Sequence, residues 1–353
     1  MARPKLKTHI DWYASEHRRY EDLASVAAAT IRSIMRLHNI DVLGVTYRAK
    51  TLESFKEKIG RKRYQDPKAE MLDLAGVRVV TFIDSDVDRA KAALADTFGI
   101  KTAHSGDKLV DLGADRFGYR SVHLVCDLGS SRTALPEFSL YKDMVFEVQI
   151  RTALQHAWAE IEHDRSYKFK GELRSSMKRR FHLVAGLLEL ADREFDSLSK
   201  EIQEYANSVH TQAEAGDLNI ELNAASISEY LKIKLSNTVS RAPYQAMAAS
   251  EELIDELHSF GCSGLADLEK ILTNEAIELS ASHSEFTTFS LLRDAMILSD
   301  PERYFQVAWK EHWQGWDNNS FERMCEKIGA EKLGKIVEDA GIDIYYDHES
   351  FDS

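Results

Sequence analysis

One short stretch, FEVQIRTALQHAWAEIEHD at residues 146–164, places several chemically active side chains close together. Side chains alternate between the two faces of a β-strand, so the apolar residues at 146, 148 and 150 are predicted to face a core. The opposite face then carries a carboxylate, an amide and a guanidinium, from Glu147, Gln149 and Arg151. A strand face this dense in functional groups predicts the floor of a polar cleft.

A helix is predicted to follow this strand directly. Thr152 and Gln155 have the spacing of a capping box, which marks a helix N-terminus. Three side chains then recur on one side of the helix, at i, i+4 and i+7: His156, Glu160 and His163. A metal site with this HxxxExxH spacing is conceivable. The spacing is not the HExxH of zinc proteases, however, so zinc is not predicted.

A group of cations precedes this stretch at residues 48–56. Arg48 and Lys50 share one side of a short predicted strand, and Lys56 follows on a basic helix that Thr51 is predicted to cap. Cations that converge beside a helix N-terminus suit a polyphosphate, which gains charge pairing and backbone N–H donors. An ordinary basic surface would have the same composition.

The segment LDLAGVRVV, residues 72–80, places Asp73 before a predicted buried strand and Arg78 within it. A carboxylate at a strand edge is a common ligand of Mg²⁺, which prefers oxygen and usually keeps waters and phosphate oxygens. The alternative is that Asp73 is a turn residue.

The segment DRFGYRSVHLV, residues 115–125, combines an aromatic ring with basic side chains. Tyr119 is positioned to stack on a nucleobase, and aromatic–base stacking contributes roughly 1–3 kcal/mol. Arg120 and His123 are near enough in the sequence to contact phosphate or ribose. The alternative is a half-buried tyrosine at the start of a strand.

The order of these motifs is more specific than any one of them. R-x-K and a basic helix, D-L-x-G-V-R, G-Y-R-S-x-H and E-V-Q-I-R-T follow one another over residues 40–170, which resembles the synthetase domain of the RelA/SpoT family. The resemblance implies an α/β (α+β) fold, with a mixed β-sheet flanked by helices and related to nucleotidyltransferases. It also implies transfer of the β,γ-pyrophosphate of ATP to the 3′-hydroxyl of GDP or GTP, which makes ppGpp or pppGpp and releases AMP.

The resemblance also implies roles for the residues that bind ATP. Arg48 and Arg78 would sandwich the adenine, and Lys50 and Lys56 would hold the phosphates.

Catalytic and acceptor roles follow in the same way. Asp73 and Glu147 would bind Mg²⁺, and Glu147 would also be the base for the attacking hydroxyl. Tyr119 would stack on the acceptor base. The remaining residues would support the acceptor or the transferred phosphates: Arg116, Arg120, His123, Gln149, Arg151 and His156.

The sequence departs from the family pattern at one position. Phe117 stands where many members have an asparagine, and Arg116 would supply the cation that members carry nearby. The HD-x-x-E-D signature of an alarmone hydrolase is not found, so we expect a synthetase-only chain.

Three functions therefore stay open. The first is a synthetase of ppGpp and pppGpp. The second is a member of the toxic subgroup, which pyrophosphorylates the 3′ end of tRNA and blocks translation, for example in a toxin or phage-defence system. The third is an inactive module that senses nucleotides or RNA.

Charge divides the 353 residues into two parts. Residues 1–180 hold 32 Lys and Arg against 25 Asp and Glu, whereas residues 181–353 hold 13 against 33. We expect a synthetase domain with an N-terminal helix at 1–180 and an acidic, mainly helical domain at 181–353. The acidic domain could regulate the synthetase or respond to a protein or ligand partner, or simply be soluble. Its segment WKEHWQGW (309–316) is predicted to be a packing patch or a partner site.

The sequence also bears on location. It has no run of about 18 apolar residues, and its first residues lack the apolar segment of a secretory signal. Three widely spaced cysteines suit a reducing compartment. We therefore expect a cytoplasmic protein that does not span a membrane.

Overall fold

The computed structural model describes residues 3–62, 64–107, 121–168, 174–236, 238, 243–283 and 285–345. The chain divides into two units, Met1–Lys200 and Glu201–Ser353. The predicted boundary after residue 180 lies inside a helix, Ser175–Glu214, and residues 181–200 belong to the first unit.

A mixed β-sheet forms the centre of the first unit. Its strands are β1 (Val42–Ala49), β2 (Ala75–Thr81), β3 (Gly99–Ile100), β4 (Gly106–Asp107), β5 (Val122–Asp127) and β6 (Phe146–Thr152). The order is β1-β2-β6-β5-β3, with β4 also paired to β5. Strands β2 and β6 are parallel, and the other pairs are antiparallel. The predicted mixed sheet flanked by helices is thus confirmed.

Helices cover this sheet. They are α1 (Arg3–Leu37), α2 (Leu52–Lys62), α3 (Pro67–Glu70), α4 (Asp84–Thr97), α5 (Ser130–Thr133), α6 (Ala153–Lys168) and α7 (Ser175–Glu214). Short 3₁₀ turns lie at Thr102–His104 and Pro136–Tyr141. In α1, Leu23, Ala27 and Ile31 recur every four residues and are fully buried in the core of the first unit.

Strand β6 has the predicted alternation. Phe146, Val148 and Ile150 are fully buried, whereas the residues between them are only half-buried. Such burial fixes the register of the strand, because a shift of one residue would expose every apolar side chain.

The predicted capping box at the start of α6 is confirmed. The Thr152 amide donates to Gln155 Oε1 at 3.0 Å, and the Gln155 amide donates to Thr152 Oγ1 at 3.1 Å. The Thr152 hydroxyl in turn donates to Asp192 Oδ2 at 2.8 Å, and the Ser85 amide donates to Asp196 Oδ1 at 3.0 Å. These bonds attach the first part of α7 to the end of β6 and to the start of α4, which explains why it belongs to the first unit.

The second unit is mostly helical, as predicted. Its helices are α8 (Ala224–Lys234), α9 (Glu251–Phe260), α10 (Leu265–Ile271), α11 (Asn274–Ala281), α12 (Thr288–Ser299), α13 (Pro301–Arg303), α14 (Asn318–Ile328) and α15 (Ala330–Ala340), with a π-helical turn at Tyr304–Ala308. Two short parallel strands, β7 (Gly315–Asp317) and β8 (Asp343–Tyr345), pair with each other. Gly261 ends α9 in the left-handed region at φ 106°, as its sequence position predicted.

Among the residues described, no helix is both long enough and apolar enough to cross a membrane.

Candidate active site

A cleft of about 160 Å³ opens over strands β1, β2 and β6 of the first unit. Six of the predicted site residues line it: Arg48, Lys50, Asp73, Arg78, Glu147 and Gln149.

Strand register explains why these residues meet. Arg48 pairs with Gly76, and Gly76 pairs with Glu147, so the three lie side by side on adjacent strands. Arg78 and Gln149 are paired two residues further along the same strands. Because Gly76 has no side chain, the layer of side chains over the sheet has a gap between Arg48 and Glu147. This gap forms part of the cleft.

Asp73 is held at the edge of the cleft by two lysines. Lys50 Nζ lies 2.9 Å from Asp73 Oδ2, and Lys58 Nζ lies 2.6 Å from the same oxygen. The other carboxylate oxygen, Oδ1, is buried and has no hydrogen-bond partner among the described residues. The turn that carries Asp73 therefore presents one unused oxygen beside two ammonium groups.

Glu147 is the centre of a hydrogen-bonded chain on the floor of the cleft. Gln149 Nε2 donates to Glu147 Oε2 at 3.1 Å, and His123 Nδ1 lies 2.7 Å from Glu147 Oε1. On its other side, His123 Nε2 lies 2.9 Å from Ser121 Oγ. Arg151 Nε donates to that hydroxyl oxygen at 2.8 Å. The carboxylate is thus fixed in orientation from two directions.

Helix α6 contributes a second group of charges. Arg78 Nη1 forms an ion pair with Glu160 Oε1 at 2.8 Å, and His156 Nδ1 lies 3.8 Å from the same oxygen. Burial, and then the charge of Arg78, lowers the pKa of His156. Burial and Arg78 likewise lower the pKa of Arg151. His156 is therefore predominantly neutral at pH 7, and its buried Nδ1 forms no hydrogen bond within the described part of the chain.

The structure places one predicted phosphate-binding lysine outside the cleft. Lys56 is exposed and does not line the cleft, whereas Lys58, which was not predicted as a site residue, contacts Asp73. The sequence alone did not favour either lysine. Phe55 and Ile59 are the buried side of α2, and positions 56 and 58 flank that side at similar angles, one on each side.

Part of the predicted acceptor site lies outside the described residues. This applies to Arg116, Phe117, Tyr119 and Arg120, and also to the side chain of His163. His123 is described, and it contacts Glu147.

Comparisons with known proteins bear on the same part of the chain. The family described as a region found in RelA / SpoT proteins matches residues 47–172. GTP pyrophosphokinase YjbM of Bacillus subtilis (strain 168) is 31% identical over 161 residues, which are 45% of this chain and 73% of that protein. GTP pyrophosphokinase YwaC of the same organism is 26% identical over 159 residues, covering 44% of this chain and 72% of that protein.

Solved structures include similar chains. Small alarmone synthetase 1 from Bacillus subtilis is 27% identical with a TM-score of 0.47, and the match covers 55% of this chain and 99% of that one. A GTP pyrophosphokinase family protein from Streptococcus pneumoniae is 26% identical with a TM-score of 0.47, covering 55% and 96%.

The family match contains every cleft residue that the sequence predicted. The curated relative YjbM is matched over most of its length. The chain therefore belongs to the RelA/SpoT family of pyrophosphokinases.

Proposed function

We propose that this chain transfers the β,γ-pyrophosphate of ATP to the 3′-hydroxyl of GDP or GTP and releases AMP. The observation that carries this proposal is the cleft itself, where two carboxylates, two arginines and a lysine meet, and where hydrogen bonds fix the orientation of one of the carboxylates, Glu147. Relatives named GTP pyrophosphokinase support the choice of acceptor. Pyrophosphoryl transfer needs in-line positioning and compensation of phosphate charge more than covalent chemistry from the protein.

Glu147 is the proposed base for the acceptor hydroxyl. An ionised carboxylate only accepts hydrogen bonds, so His123 carries its proton on Nδ1 and donates it towards Glu147. His123 Nε2 then accepts from the Ser121 hydroxyl, whose oxygen accepts from Arg151. With a neutral imidazole, each of these hydrogen bonds has one donor and one acceptor. Glu147 is therefore ready to take a proton without rotating.

The residues present fit a magnesium ion. Mg²⁺ is usually held by one or two carboxylates together with substrate phosphates rather than by a full protein cage. Asp73 offers a buried oxygen without a hydrogen bond, and Glu147 lines the same cleft. Asp73 and Glu147 would hold Mg²⁺, and the ion would neutralise charge on the phosphates of ATP.

The cations of the cleft are proposed to bind ATP. Arg48 and Arg78 would contact the adenine from both sides, because both line the cleft on neighbouring strands. Lys50 and Lys58 would provide positive charge for the phosphates. Lys56 is a weaker candidate for this role than the sequence indicated, since its side chain is exposed and outside the cleft.

The test is AMP release by the purified chain from ATP and Mg²⁺, with GDP, GTP or deacylated tRNA as the acceptor. We expect turnover with GDP or GTP. Turnover with tRNA alone would contradict the proposed acceptor and favour a translation-blocking toxin. ATP binding without turnover on any acceptor would contradict the proposed activity and favour a nucleotide-sensing module.

His123 is expected to position Glu147. The His123→Ala variant should lose about 10²-fold in kcat, because a displacement of about 1 Å at the reacting groups has an effect of that size. The KM for the acceptor should change little. In the His123→Asn variant the amide nitrogen can take the place of Nδ1, so part of kcat should return.

Steady-state kinetics of the two variants check this role. A large rise in acceptor KM with kcat unchanged would show instead that His123 binds the acceptor, as the sequence indicated. Equal loss in the alanine and asparagine variants would also contradict the positioning role.

A further inference from the structure

The second unit contains a cavity of about 370 Å³ that has no part in the proposed reaction. It lies between the start of α12, the loop before that helix, strands β7 and β8, and the start of α14. The residues that matter here are His283, Arg293, Asp294, Trp313, Trp316 and Asp317. The cavity is large enough for a molecule of amino-acid size.

Two buried polar side chains reach this cavity without being satisfied. Asp294 is 5% exposed and His283 is 6% exposed. Asp294 Oδ2 lies 3.4 Å from His283 Nδ1, yet neither that oxygen nor His283 Nε2 forms a hydrogen bond within the described residues. Buried polar atoms are nearly always hydrogen-bonded in folded proteins, because leaving one unpaired costs about 1–3 kcal/mol. Asp294 also lies near the Ser280 hydroxyl, so its hydrogen-bonding capacity is partly used, and His283 Nε2 is the clearer unpaired atom. Both side chains line the cavity and could bind a ligand there.

The site is rich in acceptors. Burial lowers the pKa of His283 to about 4, so the imidazole is neutral at pH 7, and it raises the pKa of Asp294 to about 7, so about half of this carboxyl is ionised at that pH. A bound cation would favour the ionised form. Asp317 adds a second carboxylate, which accepts from the Ser320 amide at 3.1 Å and caps α14. A group bound beside these residues would meet mainly oxygen and nitrogen lone pairs.

Arg293 lines the cavity as well, but its charge is already paired. Its Nε donates to Glu256 Oε2 at 3.1 Å and its Nη2 to Glu256 Oε1 at 2.7 Å. Glu256 is fully buried and also accepts from the Tyr304 hydroxyl at 2.9 Å. His312 Nδ1 lies 2.9 Å from Glu256 Oε1 as well. The charge of Arg293 is thus largely balanced by Glu256, so an anion in the cavity would gain less from it than from an unpaired arginine.

Two indoles form an aromatic corner of the cavity. The rings of Trp313 and Trp316 lie 5.5 Å apart at 83°. Trp313 Nε1 donates to Tyr304 Oη at 3.0 Å, so its N–H is already used. The face of an indole ring carries negative charge and attracts cations.

We propose that this cavity binds a small organic cation with a guanidinium or ammonium group. The positive group would lie against Asp294 and Asp317, with the carbon chain along the indoles. Residues 201–353 hold 11 Lys and Arg against 29 Asp and Glu, which favours the approach of cations. A metal ion is disfavoured, because no three potential metal ligands cluster within the part of the chain that the structure describes.

Titration of the full chain with agmatine, methylguanidinium and methylurea tests the proposal. Methylurea has nearly the shape of methylguanidinium but no charge. Sodium chloride at matched ionic strength corrects for screening. Two of the five tryptophans line the cavity, so their indole N–H resonances report binding locally. We expect saturable shifts of the Trp313 and Trp316 signals with both cations and none with methylurea.

Charge-neutralising variants localise the site when binding is measured at pH 8.5, where the Asp294 carboxyl is mostly ionised. Asp294→Asn should weaken agmatine binding about ten- to hundredfold, the loss expected for a charge-assisted hydrogen bond. Its melting temperature should not fall, because the buried carboxylate carries a desolvation cost. Asp317→Asn should also weaken binding while keeping the helix cap, since asparagine caps equally well. Glu338→Gln removes the same charge from an exposed position on α15 and should leave binding unchanged.

Three results would overturn the proposal. They are equal binding of methylurea and methylguanidinium, equal weakening by Glu338→Gln and Asp294→Asn, or the absence of saturable binding by either cation. A lower melting temperature for Asp294→Asn with unchanged agmatine affinity would assign Asp294 to the fold instead. All of these readouts are binding or stability measurements, so they stand independently of the pyrophosphokinase assay.

Discussion

The Glu147→Gln variant is expected to release AMP about 10²- to 10⁴-fold more slowly than the unchanged chain, the range that general-base catalysis contributes. Glutamine keeps the size of the side chain and can accept from His123, but it cannot take the proton of the acceptor hydroxyl. ATP binding, measured by equilibrium titration, should stay within a few-fold. The fold should be unchanged, because the side chain is half-buried and not in the core.

Glu137→Gln is the matched control, since Glu137 is an exposed carboxylate of the same unit and does not line the cleft. It should have normal turnover. If Glu147→Gln kept most of its kcat, Glu147 would not be the base. If kcat were lost together with ATP affinity, its main role would be to bind the nucleotide or its metal. A pH–rate profile of the residual activity adds a further check, because the acidic limb that belongs to Glu147 should disappear.

The Asp73→Asn variant is expected to have the second large effect. Activity should fall at least about 10²-fold, and the Mg²⁺ concentration needed for half-maximal rate should rise, because a carboxylate is a far better ligand for this ion than an amide. Stability should also fall by about 1–3 kcal/mol, since Lys50 and Lys58 lose their charged partner. Thermal unfolding and a Mg²⁺ titration of AMP release measure the two effects separately.

A double variant distinguishes a metal-binding role from a structural one. Adding Lys58→Met to Asp73→Asn removes one of the two lysines that lost their carboxylate partner, and should restore part of the stability. The Mg²⁺ concentration needed for half-maximal rate should stay raised if Asp73 binds the metal, whereas Lys58→Met alone should weaken ATP binding and leave that concentration nearly unchanged. If activity returned with stability, Asp73 would serve only to hold the two lysines in place.

Local features of the site could be predicted from the sequence. The inward and outward faces of β6 and the Thr152–Gln155 capping box depend on a few neighbouring residues, and the structure confirms both. The mixed sheet followed by a helical region is likewise confirmed. These predictions succeeded because residue alternation and capping are decided within one element.

Pairings between elements could not be predicted in the same way. The contact of His123 with Glu147 depends on the antiparallel register of β5 and β6, which pairs His123 with Gln149. The choice of Lys58 over Lys56 depends on how α2 is rotated on the core. Helix α6 also does not bury a full apolar stripe, since Ile161 is 57% exposed.

Features of the second unit were even harder to predict from the sequence. Asp294 has no unusual neighbours in the sequence, and its burial follows from the packing of α12, on which Leu291 and Ala295 beside it are fully buried. The WKEHWQGW segment does pack into the core, with Trp309 and Trp316 buried. Trp313 and Trp316 also line a cavity, which the sequence did not indicate.

Because Gly76 has no side chain, a substitution at this one position could change the volume of the cleft without altering its charged residues. A methyl group there would have its nearest neighbours at 3.8 Å and 4.0 Å, so alanine fits without strain. Because Val77 is buried in the core, a longer side chain at 76 would grow into the cleft instead. Every charged residue would then remain in place while the nucleotide was excluded by bulk alone. The cleft can thus be closed by size while its charge is left untouched.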